Sequence, residues 1–209
     1  MKDVTPQADF WSGTFGDEYT KREHYAPEEF DAVWKKYCGT TRSELNEFFF
    51  SSFDKDIKVL EVAANYGLQL QLLQKMGFTN LYGLEINRSA IELARKEQHD
   101  IYIIQGDALD LPFKDSSFDL VYTSAFLIHV APENRKRVMS EVVRVSKRYI
   151  WGYEFFSAEQ EEIHYRGNTN VAWKTNFSKL YEDMGLHLIK DKKFDTEQGN
   201  VDSMFLLEK

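Results

Sequence analysis

The chain changes character near residue 57. From there on, short apolar runs alternate with stretches whose apolar residues recur at helical spacing, the pattern of strands alternating with helices in an open α/β sheet. Residues 57–62, 81–86, 101–105, 118–124 and 149–154 read as strands. Leu68, Leu72, Leu73 and Met76 share one side of the helix that follows the first strand. Ile91 and Ala94 point inward from a second helix, for which Ser89 and Glu92 offer a capping box. A third helix begins at Pro132, has Glu133 paired with Arg137, and carries Val138, Met139, Val142 and Val145 on one face.

The rhythm breaks near the end. Phe177, Leu180, Tyr181 and Met184 make an amphipathic helix stopped at Gly185, and residues 186–194 and 204–207 follow as two strands. The polar connection between them is too short for a parallel return, so they form an antiparallel hairpin. Residues 1–55 lack β-branched runs and hold Leu45, Phe48, Phe49 and Phe53 as a stripe that packs on the sheet. The expected organisation is an N-terminal helical cap (1–55) on an α/β unit (56–209). That unit has a mostly parallel seven-stranded sheet with a C-terminal antiparallel hairpin, the Rossmann-like architecture of class I methyltransferases. There is no internal repeat and no low-complexity tract.

Chemistry enters at the strand ends. In Lys58-Val59-Leu60-Glu61-Val62-Ala63-Ala64-Asn65-Tyr66-Gly67 an apolar run ends in an acid and turns through small residues to a glycine and a helix. In Leu81-Tyr82-Gly83-Leu84-Glu85-Ile86-Asn87 a second apolar run ends in another acid. An open α/β sheet holds a nucleoside in this way, with the second acid accepting from ribose hydroxyls. The first acid discriminates between cofactors. A carboxylate beside the first turn repels a pyrophosphate, and only Gly67 remains to let backbone approach one, so NAD and ATP fit badly. S-adenosylmethionine (SAM), with its sulfonium and ammonium, fits. An oxidoreductase on a dinucleotide-binding sheet stays open as a third reading, which binding of SAM against NADH would separate. A SAM-binding regulator or partner subunit without turnover is the alternative that the poor glycine turn keeps open.

Composition narrows the setting. The 209 residues with 43% hydrophobic and 15% aromatic content supply one sizeable core. A net charge of -8 argues against a nucleic-acid or anionic-membrane surface. One cysteine, Cys38, makes neither an intrachain disulfide framework nor a cysteine metal site. The polar start, residues 1–9, does not read as a signal peptide, and no apolar run approaches a membrane span. A soluble cytoplasmic protein with a small-molecule acceptor and no metal is expected, its oligomeric state open.

After the third strand, Asp107 is placed to accept from an adenine amine, and the Ala108 N–H to donate to the ring. After the fourth comes Ser124-Ala125-Phe126-Leu127-Ile128-His129, on the edge that faces the transferring methyl group. It contains no Asn-Pro-Pro or Asp-Pro-Pro motif, no cysteine and no acid, which counts against nucleobase amines, covalent attack on a pyrimidine and magnesium-dependent catechol chemistry. His129 is its one titratable side chain, a candidate base for a hydroxyl acceptor that predicts a rate rising through the histidine pH range.

Phe10-Trp11-Ser12-Gly13-Thr14-Phe15-Gly16-Asp17-Glu18-Tyr19 with Arg22, Leu127-Ile128-His129-Val130, Tyr153-Glu154 with Tyr165-Arg166-Gly167, and the terminal Phe205-Leu206-Leu207-Glu208-Lys209 together resemble the pseudaminic acid biosynthesis-associated methylases. The resemblance implies a SAM-dependent methyltransferase connected with nonulosonic-acid sugars of surface glycans. It also directs attention to Glu154, Tyr165 and Arg166 as acceptor-binding residues. Position 63 is Ala where that family usually has Gly, and Glu23 stands where Asn is expected. The aromatic N-terminal segment suits a cover over the pocket. Within it Tyr19 and Arg22 are the cofactor-facing candidates, Arg22 as a bidentate partner for a carboxylate. Arg166 offers the same planar fork to an anionic acceptor. Trp11 and Phe15 read as strap residues.

Overall fold

The structure is a computed structural model and describes residues 5–97, 100–197 and 199–209, so parts of the polar stretches 1–9 and 195–200 lie outside the described residues. Helices α1 (Pro6–Ser12), α2 (Thr14–Arg22), α3 (Pro27–Cys38) and α4 (Arg42–Phe50) come first. Then β1 (Lys58–Val62), α5 (Leu68–Lys75), β2 (Asn80–Glu85), α6 (Arg88–Glu97), β3 (Ile101–Gln105) and β4 (Phe118–Ser124) alternate. Helix α7 (Pro132–Val145) runs straight into β5 (Ser146–Phe156). The chain finishes with β6 (Glu161–Glu162), β7 (Trp173–Lys174), α8 (Phe177–Glu182), β8 (His187–Asp195) and β9 (Val201–Glu208).

Among the described residues the main sheet has seven strands in the order β3-β2-β1-β4-β5-β9-β8. Strands β1 to β5 are parallel, and β9 pairs antiparallel with both β5 and β8. Because β1 pairs with both β2 and β4, the strand order reverses there. A crevice opens outside the carboxyl ends at such a switch point.

The pleat sends alternate residues of each strand to opposite faces. On one face Trp34, Leu45, Phe49 and Phe50 from α3 and α4 pack with α5, α6 and Val59, Leu120 and Trp151 of the strands. On the other, Val138, Met139, Val142 and Val145 of α7 and Phe177 and Tyr181 of α8 cover Leu60, Val62, Val121 and Ile150. The helical cap therefore shares a core with the sheet. Among the described residues no helix is long and apolar enough to cross a membrane, and no group of three metal-ligating side chains converges.

Several local expectations need correcting. Phe48 is 48% exposed, beneath the ammonium groups of Lys190 and Lys192, and Phe50 occupies the buried place instead. Helix α6 is capped by Asn87, whose Oδ1 accepts from Ala90 N at 2.9 Å, and Glu92 pairs with Arg88 rather than closing a box with Ser89. Arg137 donates to the Leu109 carbonyl at 2.9 Å. The small β6–β7 sheet was not anticipated. Its excursion turns at Arg166 and Gly167, both at positive φ (48° and 84°), with Tyr165 and Asn168 exchanging backbone hydrogen bonds at 2.9 Å. This is the geometry of a tight two-residue hairpin turn.

Candidate functional site

The turn after β1 is built on left-handed backbone, with φ of 64° at Ala63, 49° at Asn65 and 87° at Gly67. Only glycine enters that region without steric cost, so Ala63 and Asn65 are held there by their surroundings. Glu85 supplies much of the hold. Its Oε2 accepts from Asn65 N at 2.8 Å, and its Oε1 accepts from Ile86 N and Asn87 N at 2.8 and 2.7 Å. One carboxylate thus ties the β1 turn to the end of β2. Burial raises its pKa, while the three backbone donors favour the anion.

A cavity of about 230 Å³ lies over these strand ends. Of the residues expected from the sequence, Glu61, Ala63, Asn65, Glu85, Ile86, Asp107, Ala108, Ser124, Tyr19 and His129 line it. The ends of β1, β2, β3 and β4 and the turn after β4 are brought together. Asp107 Oδ1 accepts from Leu109 N at 2.9 Å, an Asx turn that leaves the other oxygen open. Glu61 is 2% exposed and accepts from Tyr122 Oη at 3.0 Å. Burial pushes its carboxyl well above the ordinary range, against the pull of the Tyr122 hydrogen bond and the Arg42 charge.

His129 ends a 3-10 turn at Leu127–His129. Its Nδ1 lies 2.8 Å from the Val171 carbonyl, which can only accept, so Nδ1 carries the proton and Nε2 keeps a lone pair. Burial lowers its pKa to about 4, so the ring is neutral at physiological pH. A base with this pKa would give no rate rise through the ordinary histidine range, since desolvation outweighs the one backbone hydrogen bond. The ring lies 4.5 Å from Trp11 and 4.7 Å from Tyr165, centroid to centroid.

Five expected residues are not in the wall of the cavity. Gly67 caps α5 and donates to the Ala64 carbonyl at 2.8 Å. Arg22 is exposed, pairs with Glu23 at 3.2 Å and rests over the Tyr19 ring. Arg166 pairs at 2.9 Å with Glu23, which lines the cavity, and Tyr165 lies edge-on to His129 and tilted against Trp11, so the hairpin tip also holds the N-terminal helices. Glu154 is 1% exposed. Its Oε1 accepts from Thr123 Oγ1, Phe126 N and Leu127 N, and its Oε2 from Ile128 N, so it fastens the turn that presents His129.

The sequence reading passed over three residues that matter. Trp11 is part of the cavity wall, not only of a strap. Asn87 caps α6 and donates Nδ2 to Trp11 O and Asp17 Oδ1 at 3.1 and 3.0 Å, which docks α1 and α2 on the sheet. Thr20 reaches the β1 turn, donating to Asn65 Oδ1 at 3.0 Å. Gly16 permits this docking: a Cβ there would sit 1.8 Å from the Trp11 carbonyl oxygen. The aromatic spacing around Gly16 and Asp17, next to the acid-Ile-Asn end of β2, was the available signal.

Residues 60–149 match the family described as a methyltransferase domain. An uncharacterized protein of Haemophilus influenzae is 34% identical over 101 residues, covering 46% of this chain and 40% of the relative. The demethylmenaquinone methyltransferase of Thermotoga maritima is 39% identical over 92 residues, covering 44% of this chain and 39% of the relative. The chain thus spans about two fifths of the length of these curated relatives. Among solved structures, the magnesium protoporphyrin IX methyltransferase of Synechocystis with bound SAM is similar over 100% of both chains, with a TM-score of 0.71 and 14% identity. The protein has the Rossmann-like fold of class I methyltransferases, and its residues 60–149 are similar to the methyltransferase-domain family.

Proposed function

We propose that this protein is a SAM-dependent methyltransferase acting on a hydroxyl of a small polar acceptor, a sugar or nucleotide sugar of nonulosonic-acid glycan biosynthesis. In this reading it works in the cytoplasm, with residues 1–55 as the cover of the site. The observation that carries the reading is the convergence of Glu61, Glu85 and Asp107, from three successive strand ends, on one cavity that His129 also lines. The family match over residues 60–149 supports the same reaction. The sugar rests on narrower ground: the N-terminal signature, and a cavity wall to which both Trp11 and His129 contribute, their rings 4.5 Å apart, centroid to centroid. Quinol and porphyrin substrates belong to the relatives whose names state them.

The donor set fits the cofactor. Glu85 has acceptor capacity left for a ribose hydroxyl after its three backbone bonds. Asp107 has an open oxygen for an exocyclic amine, and Ala108 N–H lies beside it. Glu61 meets the positive end. When bound, the cofactor supplies a methyl group on a sulfonium for in-line displacement. This chain then aligns the acceptor, which is where most of the barrier falls. His129 Nε2 accepts the acceptor's hydroxyl proton. The protonated ether formed on transfer is a strong acid, so even an imidazole of lowered basicity takes that proton.

The experiment is S-adenosylhomocysteine production with nucleotide-activated nonulosonic acids, neutral sugars and a demethylated quinol side by side. Turnover with a sugar supports the reading, and turnover confined to the quinol overturns the acceptor. SAM binding without turnover on any acceptor returns the regulator alternative, which Ala63 at positive φ in the cofactor turn favours.

A further inference from the structure

Arg42, at the start of α4, is fully buried, and its charge favours the ionised form of Glu61. Its guanidinium carbon lies 4.9 Å from the ring centroids of Trp34 and of Trp151 and 5.0 Å from that of Tyr153. It makes one hydrogen bond, from Nη2 to Ser124 Oγ at 3.2 Å, while Nε and Nη1 are buried without a partner. Among the described residues no carboxylate is in ion-pair contact with it. A buried cation so poorly paired is a liability to folding, and well-packed apolar replacements of such groups are often neutral or stabilising. The three aromatic faces offset part of that cost by cation–π attraction, but they leave the Nε and Nη1 donors unsatisfied.

The charge meets the cavity through Ser124. Because Ser124 Oγ accepts from Arg42, its own proton is free to be donated, and among the described residues it has no acceptor. Ser124 lines the cavity, and so does Glu61 on the adjacent strand, where β1 and β4 pair through Glu61 and Tyr122 and through Val62 and Thr123. A hydroxyl backed by a cation is a strengthened donor toward an anion. The two strand ends thus offer a polarised donor and a carboxylate side by side, the complement of an amino-acid zwitterion.

We infer that Ser124 and Arg42 form the carboxylate subsite for the amino-acid end of the cofactor, with Ser124 making the contact, Arg42 positioning and polarising it, and Glu61 receiving the ammonium. This rests on the reading of the cavity as a SAM site. It gives the apolar cage of Trp34, Trp151 and Tyr153 a purpose: it keeps water from screening the charge that Ser124 relays.

The test compares SAM with decarboxylated SAM, which keeps the adenosine, sulfonium and amine but lacks the carboxylate, by calorimetry on the wild type, Arg42→Met, Ser124→Ala and Ser124→Thr. The wild type is expected to bind SAM roughly ten- to hundredfold more tightly than the decarboxylated form. Ser124→Ala and Arg42→Met should bring the two to about equal affinity, and Ser124→Thr should retain the preference. Thermal melting of Arg42→Met should show no large loss; if that variant does not fold, Ser124→Ala decides. An unchanged preference in Ser124→Ala overturns the subsite. Equal weakening of both ligands in Arg42→Met also overturns it, because Arg42 would then only balance Glu61. A wild type that binds both ligands equally overturns it alone, whereas a wild type that binds neither removes the SAM reading itself.

Discussion

Glu61 is held away from its charged form by burial, and a bound cation reverses that balance. Its pKa is raised in the free protein, and a sulfonium and ammonium beside it lower it, so binding releases a proton in the interval between the two values. SAM affinity should accordingly rise with pH across that interval. Calorimetry over a series of pH values, in buffers of different ionisation enthalpy, should give different apparent heats within that interval, and Glu61→Gln should erase the difference; buffer-independent heats at every pH in the wild type would rule the proton release out. His129 behaves oppositely, since its pKa of about 4 leaves it neutral down to mildly acid pH. Turnover should be flat with respect to this group from pH 6 to 8, and His129→Gln should cut it tenfold or more, to order of magnitude, while SAM affinity holds. Retained turnover in that variant would make the histidine a packing residue. The strand-end acids were legible because a strand's last residue has a position fixed by the sheet. Arg166 and Glu154 were not. Whether a side chain faces a cavity or a partner such as Glu23 or the 126–128 backbone depends on contacts far apart in sequence.

At the level of elements, the alternation of strands and helices could be read from the sequence, because burial on both faces of a parallel sheet leaves a continuous apolar run, although β5 and β9 each begin three residues before the expected start. Caps and docking contacts were harder to read. Ser89 and Glu92 satisfied a local rule, yet Asn87 won because it stands at the point where β2 gives way to α6 and also reaches α1 and α2. Asn87→Ala should therefore do more than remove a cap, whose loss costs about 1 kcal/mol. It should also undock the N-terminal helices, giving faster hydrogen exchange and earlier proteolysis around Gly13 while the sheet stays protected. If protection falls evenly over the whole chain, Asn87 is only a cap. Glu154→Gln swaps one acceptor for a donor facing the Ile128 N–H. It should destabilise the protein by about 1–3 kcal/mol and lower turnover through a displaced His129. A variant with unchanged melting and turnover would deny the clamp.

For the molecule as a whole, buried titratable groups set opposed slopes of stability with pH. Burial raises Glu154 to about 7 and Asp202 to about 6, the latter while accepting from Tyr153 Oη at 2.5 Å and Tyr37 Oη at 3.0 Å. With folded pKa values above the unfolded ones, 4.5 for Glu154 and 3.8 for Asp202, both contribute stability fully below those unfolded values and lose it progressively as pH rises to about 7 and about 6. His129, with a folded value near 4 against an unfolded 6.5, contributes above 6.5 and loses that contribution as pH falls toward 4. Melting temperature should therefore decline between about pH 5 and 7, where the two carboxylates outweigh the histidine, and the contributions of these three groups should level off above about 7. Asp202→Asn should flatten the part of the carboxylate slope below about pH 6.5. A melting temperature that climbs from about pH 5 to 7 would contradict the assignment. The sheet order has a further consequence, in time rather than energy. Strand β8 reaches the sheet only through β9, which follows it in the chain and lies between it and β5. The parallel strands can assemble by successive local closures, but β8 stays an orphan until a later segment has threaded into place beside β5. Non-local closure of this kind is slow. In a refolding pulse of deuterium the amides of β8 should gain protection no sooner than those of β9, and a basic, partly apolar ribbon waits unpaired in the interval.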